Sequence, residues 1–241
     1  MLEVNTFSIA ARCARTGQLG VAVSTAVPGV GSMCPFGEAG KGAISTQSWV
    51  NPYLGIDGLK LLRSGATAQQ ALDELMKADP GRDMRQIGIV DAHGNAAAWT
   101  GTKCTGWCGH RTGTNFAIQG NMLVGEETLA AMEKAFAAGA GLDLADRLVS
   151  VMEAGQNAGG DKRGRQSAAL LVYDIEEYPL LRLSVEDHAQ PVVELRRVYG
   201  VAARQLLPFV MGMPSRSDPM RHLPEEVTNM LLRSPQDRPK S

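Results

Sequence analysis

Aromatic side chains are scarce in this chain. Phenylalanine, tryptophan and tyrosine make up 5% of 241 residues, too few for the stacking platforms that hold single-stranded nucleic acids. It also lacks an excess of either charge. Lysine plus arginine is 24 and aspartate plus glutamate is 25, a formal charge of −1, whereas a nucleic-acid binder carries a basic surplus. No stretch approaches the roughly 18 uninterrupted apolar residues of a membrane span. The opening MLEVNTFSIAARCARTG has no basic segment followed by a long apolar one, so it does not read as a signal peptide. Four cysteines are too sparse for a disulfide scaffold, and a reduced, cytoplasmic chain is expected.

Glycine is what the chain has in plenty: 27 of 241 residues, where about 7% is usual. At roughly 150 residues per domain the length suits one large domain or two small ones. Such a domain buries roughly 70–75% of its extended-chain surface and folds without staples.

The N-terminal third reads as strands. Over residues 6–13, Phe7, Ile9, Ala11 and Cys13 alternate with Thr6, Ser8, Ala10 and Arg12, a period of two. A turn at residues 15–18 leads to a valine-rich strand at 19–25, making a hairpin, and a third strand fits 42–49. Periodicity then becomes helical. Leu54, Gly58, Leu59 and Leu62 share a face, and Thr67 with Gln70 forms a capping box opening the stripe Ala71, Leu72, Leu75 and Met76. Strands return at 86–91, 96–100 and 115–119; a helical block spans 126–155; a last hairpin pairs 167–173 with 180–185. A final helix starts near Val192, with Pro208 set to kink or end it, and residues 214–241 read as an arm or partly disordered tail. Hairpins in blocks predict an α+β fold, antiparallel sheet with helices segregated onto it, in a domain over 1–204 followed by an arm over 205–241.

Several residues carry possible chemistry. Thr6 and Ser8 project from one face of the first strand. A threonine at a chain terminus can use its own α-amine as base, but five residues precede Thr6, so they must first be removed; otherwise Thr6 is an ordinary strand threonine. Cys104, Cys108 and His110 offer three zinc ligands or a thiol with an imidazole base, in a spacing that matches no strong pattern; neither metal nor cofactor is expected. In GGDKRGRQS, residues 159–167, glycines let amide hydrogens converge on an anion, and Lys162, Arg163 and Arg165 add positive charge. A solvated basic turn, or an internal pairing of Arg165 with Asp161, is the plainer reading. Gln47 and Ser48 give an oddly polar end to the third strand, and Asn121 closes another.

The strings TFSIAAR at 6–12, STQSWVNPYLG at 45–55, DPGRDMRQIGIVDAHG at 79–94, GHRTG at 109–113, QGNML at 119–123 and EAGQNAGGDKRGRQSAALLV at 153–172 resemble domain-of-unknown-function family 1028. That family is placed in the Ntn-hydrolase (N-terminal nucleophile) superfamily. The resemblance covers about residues 6–200 and implies a four-layer αββα sandwich, two antiparallel sheets between helix layers. It further implies amide hydrolysis, with Thr6 as nucleophile, backbone amides near Gln47 and Ser48 for the oxyanion, Asn121 on the α-amine and Asp161 orienting the site. Arg165, with Arg163, His110 and Ser24, would hold an anionic substrate group. Ser24 stands on the second strand, where proteasome-like members carry an aspartate. The function expected is an amidohydrolase acting on a small anionic amide, and the alternative is a non-catalytic protein of the same fold that binds a small anion or assembles. The expected partners are a small molecule and further copies of the chain, as a homodimer or larger.

Overall fold

The computed structural model describes residues 6–161 and 164–238. Its N-terminal hairpin is β1 (Thr6–Arg12) with β2 (Leu19–Thr25), in the register Thr6↔Thr25 to Arg12↔Leu19. Two strands follow, β3 (Pro35–Glu38) and β4 (Gly42–Ser48), then two helices, α1 (Pro52–Arg63) and α2 (Ala68–Ala78). Strands β5 (Arg85–Asp91), β6 (Ala96–Thr100), β7 (Trp107–Gly113) and β8 (Phe116–Leu123) come next. Helices α3 (Glu127–Ala138) and α4 (Leu144–Asn157) precede the last hairpin, β9 (Ser167–Tyr173) with β10 (Leu181–Val185).

The strands form two antiparallel sheets, one of six in the order β10-β9-β2-β1-β8-β7 and one of four in the order β3-β4-β5-β6. Their inner faces meet, α1 and α2 cover the outside of the smaller sheet, and α3 and α4 cover the outside of the larger. The expected α+β fold, with antiparallel sheets between helix layers, is what the chain adopts.

Alternation of side chains explains the layering. On β4 and β5, Ile44, Ile87 and Ile89 point outward and join Leu54, Leu62, Leu72, Leu75 and Met76 of the two helices in one buried cluster. Each such fully buried side chain contributes about 1.5–3 kcal/mol. Gly55 lets α1 lie close on β3, since a Cβ there would stand 2.2 Å from the Phe36 ring. Between the sheets the filling is small: Ala10, Leu19, Val21, Ala43, Val90 and Ala117. Small residues allow the two sheets to close on each other.

Two strands, β3 and β7, escape the sequence reading. Both are sheet edges. β3 is four half-buried residues opening on Pro35, and β7 is largely half-buried or exposed, so neither shows an apolar period; a proline at the first position of an edge strand costs no ladder bond. The chain also divides into two compact units, Met1–Leu195 and Arg196–Ser241. Helix α5 (Pro191–Gln205) runs from the first unit into the second. The second also holds α6 (Leu207–Met211) and α7 (Glu225–Leu232), the latter inside the segment that reads as an arm.

One carboxylate ties strand, turn and helix together. Asp91, 3% exposed, accepts from the backbone N–H groups of His93 and Asn95 on Oδ1, at 2.9 and 3.0 Å, and from Ala68 N and Asn95 Nδ2 on Oδ2, at 3.1 and 2.9 Å. It thereby closes the β5–β6 turn and caps α2 beside the Thr67–Gln70 capping box. Burial pushes its pKa up, but the donors from Asn95, Ala68 and His93 outweigh it and the net shift is downward. The stability it confers is complete above the ordinary carboxylate value of about 3.9 and is lost as pH falls through the lowered one. Asp91→Ala should therefore cost about 2–3 kcal/mol by urea denaturation at pH 7, with the difference from wild type shrinking at pH 3. A difference independent of pH would contradict this assignment.

Candidate functional site

Thr6 heads β1 at the centre of the larger sheet, opposite Thr25 on β2 and Asn121 on β8. It is fully buried, and its Oγ1 donates to Thr25 Oγ1 at 3.2 Å. Ser8, two residues on, lies on the same inner face. Ser24 does not: it is paired with Phe7, one residue out of phase with Thr6, and its hydroxyl donates to Ser167 O at 3.2 Å. Ser24 thus sits on the opposite face of the sheet from Thr6.

Below Thr6 the space between the sheets is polar rather than apolar. Gln47 on β4, Gln86 on β5, Gln119 and Asn121 on β8 and Ser8 on β1 are all at most 1% exposed, and they bond to one another. Gln47 Nε2 lies 3.3 Å from Thr6 O, 3.4 Å from Gln119 O and 2.8 Å from Gln86 Oε1. Asn121 Nδ2 reaches the same Gln86 Oε1 at 3.0 Å. Gln86 Nε2 donates to Gly120 O, Thr100 Oγ1 and Gly109 O at 2.8, 2.9 and 3.0 Å. Ser8 Oγ donates to Gln47 Oε1 at 2.5 Å and accepts from Gln119 Nε2 at 2.6 Å. Gln119 has room because position 88 is glycine; a Cβ there would stand 2.0 Å from Gln119 Oε1.

The strand ends that carry Gln47 and Asn121 are both bent. Ser48 has φ 66° and Met122 has φ 51°, left-handed values that cost a non-glycine residue free energy and are kept only where the surroundings impose them. At Ser48 the restraint is visible. Trp49 N donates to Met84 O at 3.3 Å, and Arg85 Nη1 donates to Trp49 O at 2.6 Å. Arg85 Nε is held by Asp79 Oδ2 at 3.0 Å, and Asp79 also accepts from Gly81 N and Asn51 Nδ2. Asn51 in turn caps α1 through Tyr53 N. The segments 45–55 and 79–86 therefore form a clamp around the turn that follows Gln47.

The structure brings together Thr6, Gln47 and Asn121; Ser48 follows Gln47 in the chain, and its hydroxyl bonds to Cys104. Asp161 is buried and forms an isolated bridge with Leu123, two residues beyond Asn121. In the same loop Gly159, Gly160 and Gly164 have positive φ and Arg165 is exposed; Lys162 and Arg163 lie outside the described residues, as do residues 1–5. His110 is an exposed residue on β7 whose Nδ1 lies 2.9 Å from Thr100 Oγ1, linking it to Gln86; partial desolvation of the ring holds it below the ordinary imidazole value. Burial pushes the Cys104 and Cys108 thiols up, and Cys34 to about 12, so these cysteines are poor nucleophiles. Among the described residues no three of histidine, cysteine, aspartate and glutamate gather where they could hold a metal ion.

Sequence reasoning passes over Gln86, Gln119, Thr25 and Thr100. A signal for the glutamines exists: Gln86 alternates with Ile87 and Ile89, which assigns it the second face of a strand. That face would be solvated in a two-layer fold and is buried in this one.

A family model described as a family of unknown function, DUF1028, matches residues 6–195. No curated protein matches. Among solved structures, the crystal structure of protein SPO2555 from Silicibacter pomeroyi, also titled DUF1028, is 32% identical, covers 92% of this chain and 96% of its own, and has a TM-score of 0.84. The likeness thus extends beyond residue 195 into the C-terminal unit. Anbu (ancestral beta-subunit) from Yersinia bercovieri is 12% identical over 87% of this chain and 98% of its own, at a TM-score of 0.38, too low to support an argument.

The clamp generates a prediction. Asp79 is pushed up by burial but pulled below its ordinary value by Arg85, Gly81 and Asn51; Asp79→Ala leaves the guanidinium of Arg85 without its carboxylate. A loss of about 2–3 kcal/mol should accompany faster hydrogen exchange of the Trp49 amide relative to amides in the middle of β4. Unchanged protection of Trp49 would show that the clamp does not hold the Ser48 turn.

Proposed function

The chain belongs to DUF1028, a family of unknown function, and we propose that it is an amidohydrolase acting on a small anionic amide through Thr6, exposed as the terminal residue by removal of residues 1–5. The observation that carries this reading is the position of Thr6. It heads a central strand, between Thr25 and Asn121, beside a buried polar network.

Once terminal, Thr6 has an α-amine that titrates near neutral pH. The neutral amine takes the proton from Oγ1 as Oγ1 attacks the amide carbon. Backbone N–H groups near Gln47 and Ser48 stabilise the developing oxyanion in this reading; one such donor is worth about 3–4 kcal/mol where measured. Collapse of the adduct breaks the C–N bond, and the departing amine takes the proton back from the α-ammonium. An ester on Thr6 remains, which water hydrolyses with the same amine as base. Asn121 holds the α-amine, Asp161 orients the end of β8, and Arg165 in the glycine-rich loop holds the anionic group of the substrate, with Arg163 and His110 as further contacts. Ser24 takes no part, because it faces away from Thr6. Exposed Met211, Met220 and Leu232 in the arm from residue 205 favour a homodimer or larger assembly in which the arm packs on a neighbouring copy.

A β-lactone, which acylates hydroxyl nucleophiles of this kind, tests the reading. On the chain whose first residue is Thr6, peptide mass spectrometry should find the acyl group on Thr6. Thr6→Ala should abolish labelling while losing only about 1 kcal/mol of stability, the worth of the Thr25 hydrogen bond. No label on Thr6, or labelling that survives Thr6→Ala, would overturn the proposal and favour a small-anion-binding protein.

A further inference from the structure

Gly109 O and Gly120 O are carbonyls and can only accept hydrogen bonds. Gln86 lies within 3.0 Å of both, so it must turn its nitrogen to them. Its Oε1 then faces the other way and can only accept. The two groups that meet Oε1 are the amides of Gln47 and Asn121, so each must present its nitrogen there. The Gln47 oxygen is consequently turned to Ser8, whose hydroxyl donates to it and accepts from Gln119 Nε2. Gln119 Oε1, last in the sequence, is left buried without a partner among the described residues. Backbone carbonyls thus set the direction of these side-chain hydrogen bonds, Gly109 O and Gly120 O through Gln86 and, at Gln47, Thr6 O and Gln119 O as well.

We propose that Gln86 is a positioning residue: by taking the Asn121 nitrogen, it leaves Oδ1 as the atom that Asn121 offers to the nitrogen of Thr6, its register partner. This rests on the reading of Thr6 as a terminal nucleophile. An amine can act as base only with its lone pair toward the proton it removes. Oδ1 accepting one N–H of the α-amine fixes that orientation, whereas an Asn121 turned the other way would set an N–H against the amine. Gln86 touches neither substrate nor reacting atoms and acts through Asn121 alone.

Two arms test the orientation without any activity. Neutron diffraction from the perdeuterated full-length protein should place deuterons on the Asn121 side-chain nitrogen, directed at Gln86; oxygen at that position would overturn the proposal. In Gln86→Glu only a protonated carboxyl can donate to Gly109 O and Gly120 O. Its stability deficit in urea should therefore correspond to an unfolding constant at least about tenfold closer to wild type at pH 5 than at pH 8, one unit of pKa shift being tenfold. An equal deficit at both values would overturn it.

A third arm reads the positioning role. With Gln86→Met in the chain starting at Thr6, the pH midpoint of β-lactone labelling should move down, because an amine that loses an acceptor holds its proton less tightly. An unmoved midpoint would show that Gln86 does not act on Thr6. Absence of labelling even with glutamine at position 86 would overturn the amidohydrolase reading and, with it, the positioning role, while leaving intact the hydrogen-bond directions seen by neutrons.

Discussion

Two peptide carbonyls, Gly109 O and Gly120 O, face the interior between the sheets and bond to one glutamine nitrogen. The rest of the inter-sheet structure is arranged around that fact. An amide buried without a hydrogen bond costs about 1–3 kcal/mol in proteins, so a layer containing Ser8, Gln47, Gln86, Gln119 and Asn121 is tolerable only when its bonds are made together. Slipping any strand that carries them by one residue in its pairing would turn its polar groups to the other face and break their bonds at once. The network therefore specifies how the sheets lie on each other, a task that the small apolar residues at the other end cannot perform alone.

That division of labour between the two ends of the interface links fold to site. Ala10, Ala43, Val90 and Ala117 bring the sheets close. Toward the head of β1 the same strands carry hydroxyls and amides instead, and the strand ends bend at Ser48 and Met122. Bends there are sustained from outside the layer, by Asp79 and Arg85 at one of them. Precision around Thr6 is thus a property of both sheets and of the connections between strands, and helices α1 to α4 cover the outer faces.

Much of the fold is legible from side-chain period. The β1–β2 hairpin, the α2 capping box and β9 lie where alternation and capping place them, because each has a buried face and a clear boundary, while β6, a half-buried edge strand, is marked instead by the turn residues 92–95 before it. The edge strands β3 and β7 are not legible, since an edge with half-exposed residues has no apolar period to detect. Thr6, Gln47 and Asn121 stand out through the strings around them, but the hydrogen bonds that connect them do not. Gln86 is the instructive case: its alternation with Ile87 and Ile89 shows only that it faces away from the helices. Whether that face meets water or a second sheet depends on pairings between residues far apart in the chain. Ser24 depends on the same kind of pairing, since one residue of phase decides which side of a strand it serves.

The central claim is that Thr6 works as a terminal residue over this network. The most direct measurement is the intact mass of the untagged protein purified from its own source. The account predicts a mass lacking residues 1–5, leaving Thr6 with a free α-amine. A full-length mass would contradict it, because the nitrogen of Thr6 would then remain an amide with no basic lone pair to accept a proton.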